Sequence, residues 1–143
     1  MGVLTDFLVA DEIDAAKVGQ SFTPLEEWAG IEGKGIEHVK LGRLWALVSG
    51  ATYQSSFIRE FSQLHEQSED GPWVFRVPGK LVVAIAGLDD CRGSEISREW
   101  AKVEEFALDR WDAASVEKFL SEFRVLAQQA CAQNKSLLMW MSL

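Results

Sequence analysis

The sequence predicts a single α+β domain spanning residues 1–143, built as a small sheet that includes both terminal strands and is packed against several helices. Three observations carry this. The opening run "VLTDFLV" at 3–9 is rich in β-branched and aromatic residues, with Val3, Thr5, Phe7 and Val9 on one side and Leu4, Asp6 and Leu8 on the other. The closing run "SLLMWMSL" is apolar on both of its faces, the pattern of a strand covered on each side. Unpaired, it would be an aggregation edge, so the two terminal strands are expected in one sheet. Between them lie segments of helical period, and 143 residues that are 48% hydrophobic suffice for one core. Eleven glycines and three prolines are scattered through the chain, which argues against a linker.

After the first strand, "DEIDAAKVG" suits a short helix with acids in its first turn and Gly19 at its end. Thr23 before Pro24, followed by Glu26 and Glu27, marks a second helix start that the glycines at 30, 33 and 35 cut short. From Glu37 to Ser49, Leu41, Leu44, Trp45 and Val48 recur at spacings of three and four, and Gly50 supplies the stop. Residues 54–67 carry two patterns: Phe57, Phe61 and Leu64 suit a helix, whereas "FSQLHEQ" alternates like a strand. "SEDGPWVFRVP" reads as a turn feeding a strand through Trp73 and Phe75.

Pro78 opens the helix "PGKLVVAIAGL", whose nearly all-round apolar surface predicts burial. Ser94 is placed to cap a helix carrying Ile96, Trp100, Val103 and Ala107. Asp112 caps the longest helix, with Trp111 before the cap and Val116 at the fourth helical position forming a hydrophobic staple. Its apolar stripe runs through Val116, Phe119, Leu120, Phe123, Leu126, Ala127, Ala130 and Cys131, and Asn134 and Lys135 end it. Cys131 is thereby read as a buried, reduced thiol, unpaired with the distant Cys91.

Charge excludes whole classes of partner. A net charge of -8 repels phosphate backbones and anionic lipid, and the best basic patch, Lys34, Lys40 and Arg43, is interrupted by Glu37. Neither nucleic acid nor a membrane surface is therefore expected as a partner. The N-terminal apolar run lacks a preceding basic region and contains Asp6, so it fits neither a signal peptide nor a membrane span, and a cytoplasmic location is expected. Asp6 also stands where a myristoylation motif needs Ser or Thr.

The chain offers no motif of known chemistry. His38, His65, Cys91 and Cys131 include no close pair of the kind a zinc site uses, so no metal and no cofactor is expected. His38 reads as a histidine at the edge of its helix and His65 as a surface residue. "GIEGKG" at 30–35 lacks the Ser or Thr that follows the lysine of a phosphate loop, and reads as a turn. No Gly-x-Ser-x-Gly elbow occurs.

Two features remain. The stretch "WAKVEEFALDRWDAAS" at 100–115 holds Glu104, Glu105 and Asp109 between two tryptophans, with Asp112 directly after the second. On a continuous helix Glu105 would face solvent near Lys102, and Glu104 would lie at the boundary of the apolar stripe. The stretch therefore reads as a structural joint between two helices, with Glu104, Asp109 and Trp111 the candidates if it forms a carboxylate and tryptophan cleft instead. The second feature is six tryptophans in so short a chain. Trp45, Trp100 and Trp140 fall on core faces, whereas Trp28 and Trp73 lie beside glycine-rich or acidic turns and, with Glu69 and Asp70, are candidate partner contacts.

The order of elements resembles the YfbM-like family of small uncharacterised bacterial proteins. The resemblance lies in "MGVLTDFLVADEIDAA", the helix "VKLGRLWALVSG", the segment "VPGKLVVAIAGL", and a long helix followed by "LLMWMS". The stretch between Gly50 and Asp70 has no counterpart in that pattern. The resemblance implies one α+β domain in a cytoplasmic protein and brings no activity or catalytic residues. The sequence as a whole points to a non-catalytic protein-interaction domain, whose partner is another protein or a second copy of the chain. The alternative is a small-molecule binder or enzyme using the Glu104, Asp109 and Trp111 cleft.

Overall fold

The computed structural model describes residues 3–143. Strand β1 (Leu4–Ala10) leads through a 3-10 turn at Glu12–Asp14 into α1 (Ala15–Gln20). A second 3-10 turn, Pro24–Glu26, precedes β2 (Gly30–Glu32), and α2 (His38–Ser49) follows. The single turn α3 (Ser56–Arg59) is succeeded by β3 (Ser62–Glu66), β4 (Trp73–Arg76) and α4 (Gly79–Ala86). The chain closes with α5 (Asp90–Trp100), α6 (Glu104–Leu108), α7 (Ala113–Ala132) and β5 (Ser136–Ser142).

The fold is α+β. Five strands form one sheet in the order β2-β1-β5-β4-β3, each pair antiparallel. The terminal strands meet as expected, in register from Leu4 opposite Ser142 to Ala10 opposite Ser136. Because successive side chains alternate, β5 splits its apolar residues between two cores. Leu137 and Met139 join Phe7 and Val9 in the main core beneath α2 and α4 to α7, while Leu138 and Trp140 join Leu8, Ala10, Val74 and α1's Ala15 and Val18 on the other face. The two layers are unequal. The main face carries α7, whose Phe119 and Phe123 stack with rings 5.4 Å apart, Phe123 meeting Phe7 edge-on. On the second face the core is closed by α1 and the segment around Leu25 and Trp28 alone, and this leaves one end of it open.

Several local expectations hold for the reasons given. Gly50 ends α2 at φ 69°, and Glu37, read from sequence only as the start of that helix, also caps it by accepting from Val39 N and Lys40 N. Asp112 accepts from Ser115 N at 2.7 Å, and Trp111 packs against the core that contains Val116. Trp100 and Trp140 are buried, and Trp45 is half-buried against Phe57.

Others are corrected. Gly30 does not end a helix; it lies in β2, paired opposite Leu8, where a Cβ would collide with Phe7 O. Glycine there permits a close backbone approach, which sequence cannot separate from a turn. Gly19 similarly sits within α1, where a Cβ would collide with the His65 ring, so His65 is half-buried instead of superficial. Residues 54–67 form the single turn α3 around Phe57 and then β3, so the alternating pattern prevails, with Phe61 between the two elements and Leu64 in the strand. Helix α4 buries Leu81, Val82 and Ile85 but leaves Val83 65% exposed, because one of its faces meets solvent.

The helix assigned to Ser94 starts a turn earlier, capped by Asp89, whose Oδ1 accepts from Arg92 N at 2.7 Å. It also stops at Trp100, and extended backbone at Val103 starts α6 in a new direction. The break allows Trp100 and Phe106 both to be fully buried and to meet edge-on with centroids 4.9 Å apart. Cys131 is exposed, as is Cys91, and both are free thiols. One residue beyond the buried Ala130, Cys131 has rotated about 100° off the apolar stripe.

Candidate functional site

The break between α5 and α7 decides the fate of the acids in 100–115. Glu105 is not solvated: Arg43 Nε donates to its Oε1 at 2.8 Å, and the Arg43 guanidinium lies 4.2 Å from the Tyr53 ring centroid. The hydrogen bond to Glu105 holds the Arg43 guanidinium protonated above its usual range. Lys102 pairs instead with Glu99, at 3.1 Å. Glu104 is exposed in the first turn of α6. Asp109, just past α6, receives a charge-assisted hydrogen bond from Lys40 Nζ, which also donates to Gly35 O at 3.1 Å.

Lys40 is only 3% exposed, and its ammonium lies 5.7 Å from the Phe106 centroid. Its backbone carbonyl accepts from the Trp100 indole at 2.8 Å. One lysine therefore ties α2, the turn after β2, the core tryptophan and the α6–α7 joint together. Sequence placed it only in a thin basic patch.

Asp109 and Trp111 line a surface cavity of about 430 Å³ with Lys34, Arg110, Ser115 and Lys118, and Glu104 is outside it. Trp111 is half-buried, its ring 5.2 Å from Phe106 and 6.5 Å from Phe119. Asp112 on the same rim is committed to Ser115, and that hydrogen bond holds its carboxyl below the usual range. The cleft's cations and acids balance, and Asp109 already has a partner.

A second cavity, about 510 Å³, opens at the uncovered end of the sheet's second face. Cross-strand pairing sets its floor: Glu32 of β2, Asp6 of β1 and Trp140 of β5 are consecutive neighbours, each directly opposite the next. Leu4, Leu25 and Phe22 supply apolar walls, with Glu26 and Lys34 at the rim. Phe22 is 82% exposed and Leu4 62%. Trp140 is fixed from behind by its indole donating to Ser21 O at 3.1 Å.

Burial, and secondarily the like charge of Glu32, pushes the Asp6 carboxyl up from 3.8 to about 6. Asp6 was visible in sequence only as the charge that interrupts an apolar run. Its partner Glu32 lies on the strand that sequence did not reveal.

The remaining candidates do not converge. Trp28 packs into the second-face core. Trp73 is two residues from Phe75, which joins the main core, so it belongs to the opposite face, and its indole donates to Glu66 at 3.2 Å. Glu69 and Asp70 are exposed in the turn before β4. Among the described residues no group of three His, Cys, Asp or Glu is arranged to hold a metal, and no helix is long and apolar enough to cross a membrane. His38 packs edge-on against Phe61 and Phe75, and burial lowers its pKa from 6.5 against a smaller opposing effect of Glu37.

No protein-family model, no curated protein and no solved structure matches the chain. The resemblance to YfbM-like proteins rests on the packing segments alone.

Proposed function

We propose that the chain is a non-catalytic protein-interaction domain whose partner docks on the open end of the sheet's second face. One observation carries the reading: Phe22 holds a large ring in solvent beside Leu4, above a cleft floored by a Trp140 that is locked in place. An exposed apolar cleft with a polar rim is the usual signature of an interaction surface. Trp28 supports this surface from within the second-face core instead of contacting the partner itself. The exposed free thiols of Cys91 and Cys131 suit a reducing cytoplasm.

The test is quantitative capture from a lysate of the source organism with three baits: the wild-type chain, Phe22→Ser and Trp73→Ala. A protein held by the wild type and by Trp73→Ala, and lost with Phe22→Ser, supports the reading. Loss with Trp73→Ala alone moves the interface to the opposite face and removes it.

A second reading has its own observation, because Asp109 and Trp111 share the cavity at the α6–α7 joint. A small molecule bound there would shift the thermal unfolding of the wild type and not that of Trp111→Ala. Saturating such a site about a hundred-fold adds roughly 2.7 kcal/mol.

A further inference from the structure

The second-face cleft holds an arrangement that apolar docking alone does not use. Asp6 and Glu32 stand directly opposite one another on the same face of neighbouring strands. Like charges in that position destabilise a sheet. Among the described residues neither carboxylate takes part in an ion pair, so no cation offsets their opposition across the strands. Lys34 stands on the cleft's rim without pairing to either of them.

The charged groups that line the cleft with Asp6 are Glu32 from β2, Glu26 from the 3-10 turn and Lys34 from the loop after β2, while β5 contributes only the neutral Trp140. Three acids against one base leave the cleft negative, and its walls are aromatic and aliphatic. A group that satisfies all of this is a planar cation on an aliphatic stem. A guanidinium can share two carboxylates and lie against a ring such as Phe22, and its stem can pack on Leu4 and Leu25. The chain's overall charge of -8 would steer a basic partner toward it.

Resting on the docking reading above, we propose that this cleft takes an arginine side chain carried on an apolar segment of a basic partner protein, with Asp6 and Glu32 together receiving the guanidinium. The arginine supplies the countercharge that the fold leaves out. Such binding is linked to protons: Asp6, held up to about 6 by burial and then by Glu32, must be ionised to receive the cation.

The experiment uses two short leucine-rich peptides that differ only in carrying arginine or its uncharged isostere citrulline, titrated into the full chain. The arginine peptide is expected to bind roughly ten-fold or more tightly at about pH 7.5, with the preference lost at about pH 5 and in Asp6→Asn or Glu32→Gln. Both substitutions remove an unpaired charge and are expected to fold; amide exchange of β1 and β2 verifies this. Equal affinity for the two peptides, no binding of either, or a preference indifferent to both substitutions overturns the proposal. Equal binding that disappears with Phe22→Ser leaves the docking reading standing without the cation, whereas binding indifferent to Phe22→Ser removes both.

Discussion

Asp6 and Glu32 face each other across the β1–β2 pair, neither with an ion-pair partner among the described residues, where a cavity opens on the sheet's second face. Evolution of a stable fold alone would not favour that pairing.

The pair makes stability depend on pH in a definite direction. The folded-state pKa of Asp6 lies above its unfolded value, so the neutral carboxyl's contribution is complete below 3.8 and is lost as pH rises through about 6. Asp6→Asn is expected to stabilise the fold at neutral pH by on the order of 1 kcal/mol, a figure discounted for the solvent contact of the group. Urea unfolding of both proteins across that range checks it: the two curves should converge toward acid and separate toward neutrality.

His38 gives the opposite slope. Its ring lies between Phe61 and Phe75, and burial keeps its pKa below 6.5. The stability due to the neutral ring is therefore present above 6.5 and lost as pH falls through the lowered value. Following the His38 ring protons by NMR against pH should show a titration midpoint below that of a histidine in the urea-unfolded chain.

Lys40 and Asp109 are expected to behave asymmetrically. Asp109→Ala strands a buried ammonium and should destabilise by about 2 kcal/mol, the half-exposed position of Asp109 keeping the cost below that of a fully buried pair. Lys40→Met keeps the aliphatic packing on Phe106, and Asp109 can then hydrate, so it should cost less. Chemical denaturation of the two single variants and the double variant measures the coupling.

Both thiols should react in the native state. Cys91 and Cys131 are exposed and unpaired, so a thiol reagent added to folded protein should label both without denaturant. Protection of Cys131 would return it to the apolar stripe of α7.

What could be read from sequence followed the strength of the periodic signal. The terminal strands were legible because β5 is apolar on two faces, and α2 and α7 because long stripes and their caps agree. β2 was not, since three residues carry no period and its Gly30 serves a close approach that looks like a turn. The α5–α6 break was hidden because Trp100 and Val103 keep helical spacing across it. Of the proposed carboxylate cleft, Asp109 and Trp111 share a cavity because they flank the same turn, whereas Glu104 lies on the far end of a short helix. The second-face cleft was beyond sequence for a single reason: Asp6, Glu32 and Trp140 are neighbours only through strand register.

The proposed interface requires a partner to sit over Phe22. The direct measurement replaces Phe22 with a photo-crosslinking phenylalanine analogue in cells of the source organism, and places the same analogue at Val83, exposed on α4. A discrete crosslinked protein is expected from position 22 and absent from position 83. Crosslinks of equal yield and identity from both positions, or none from position 22, would contradict the proposed interface.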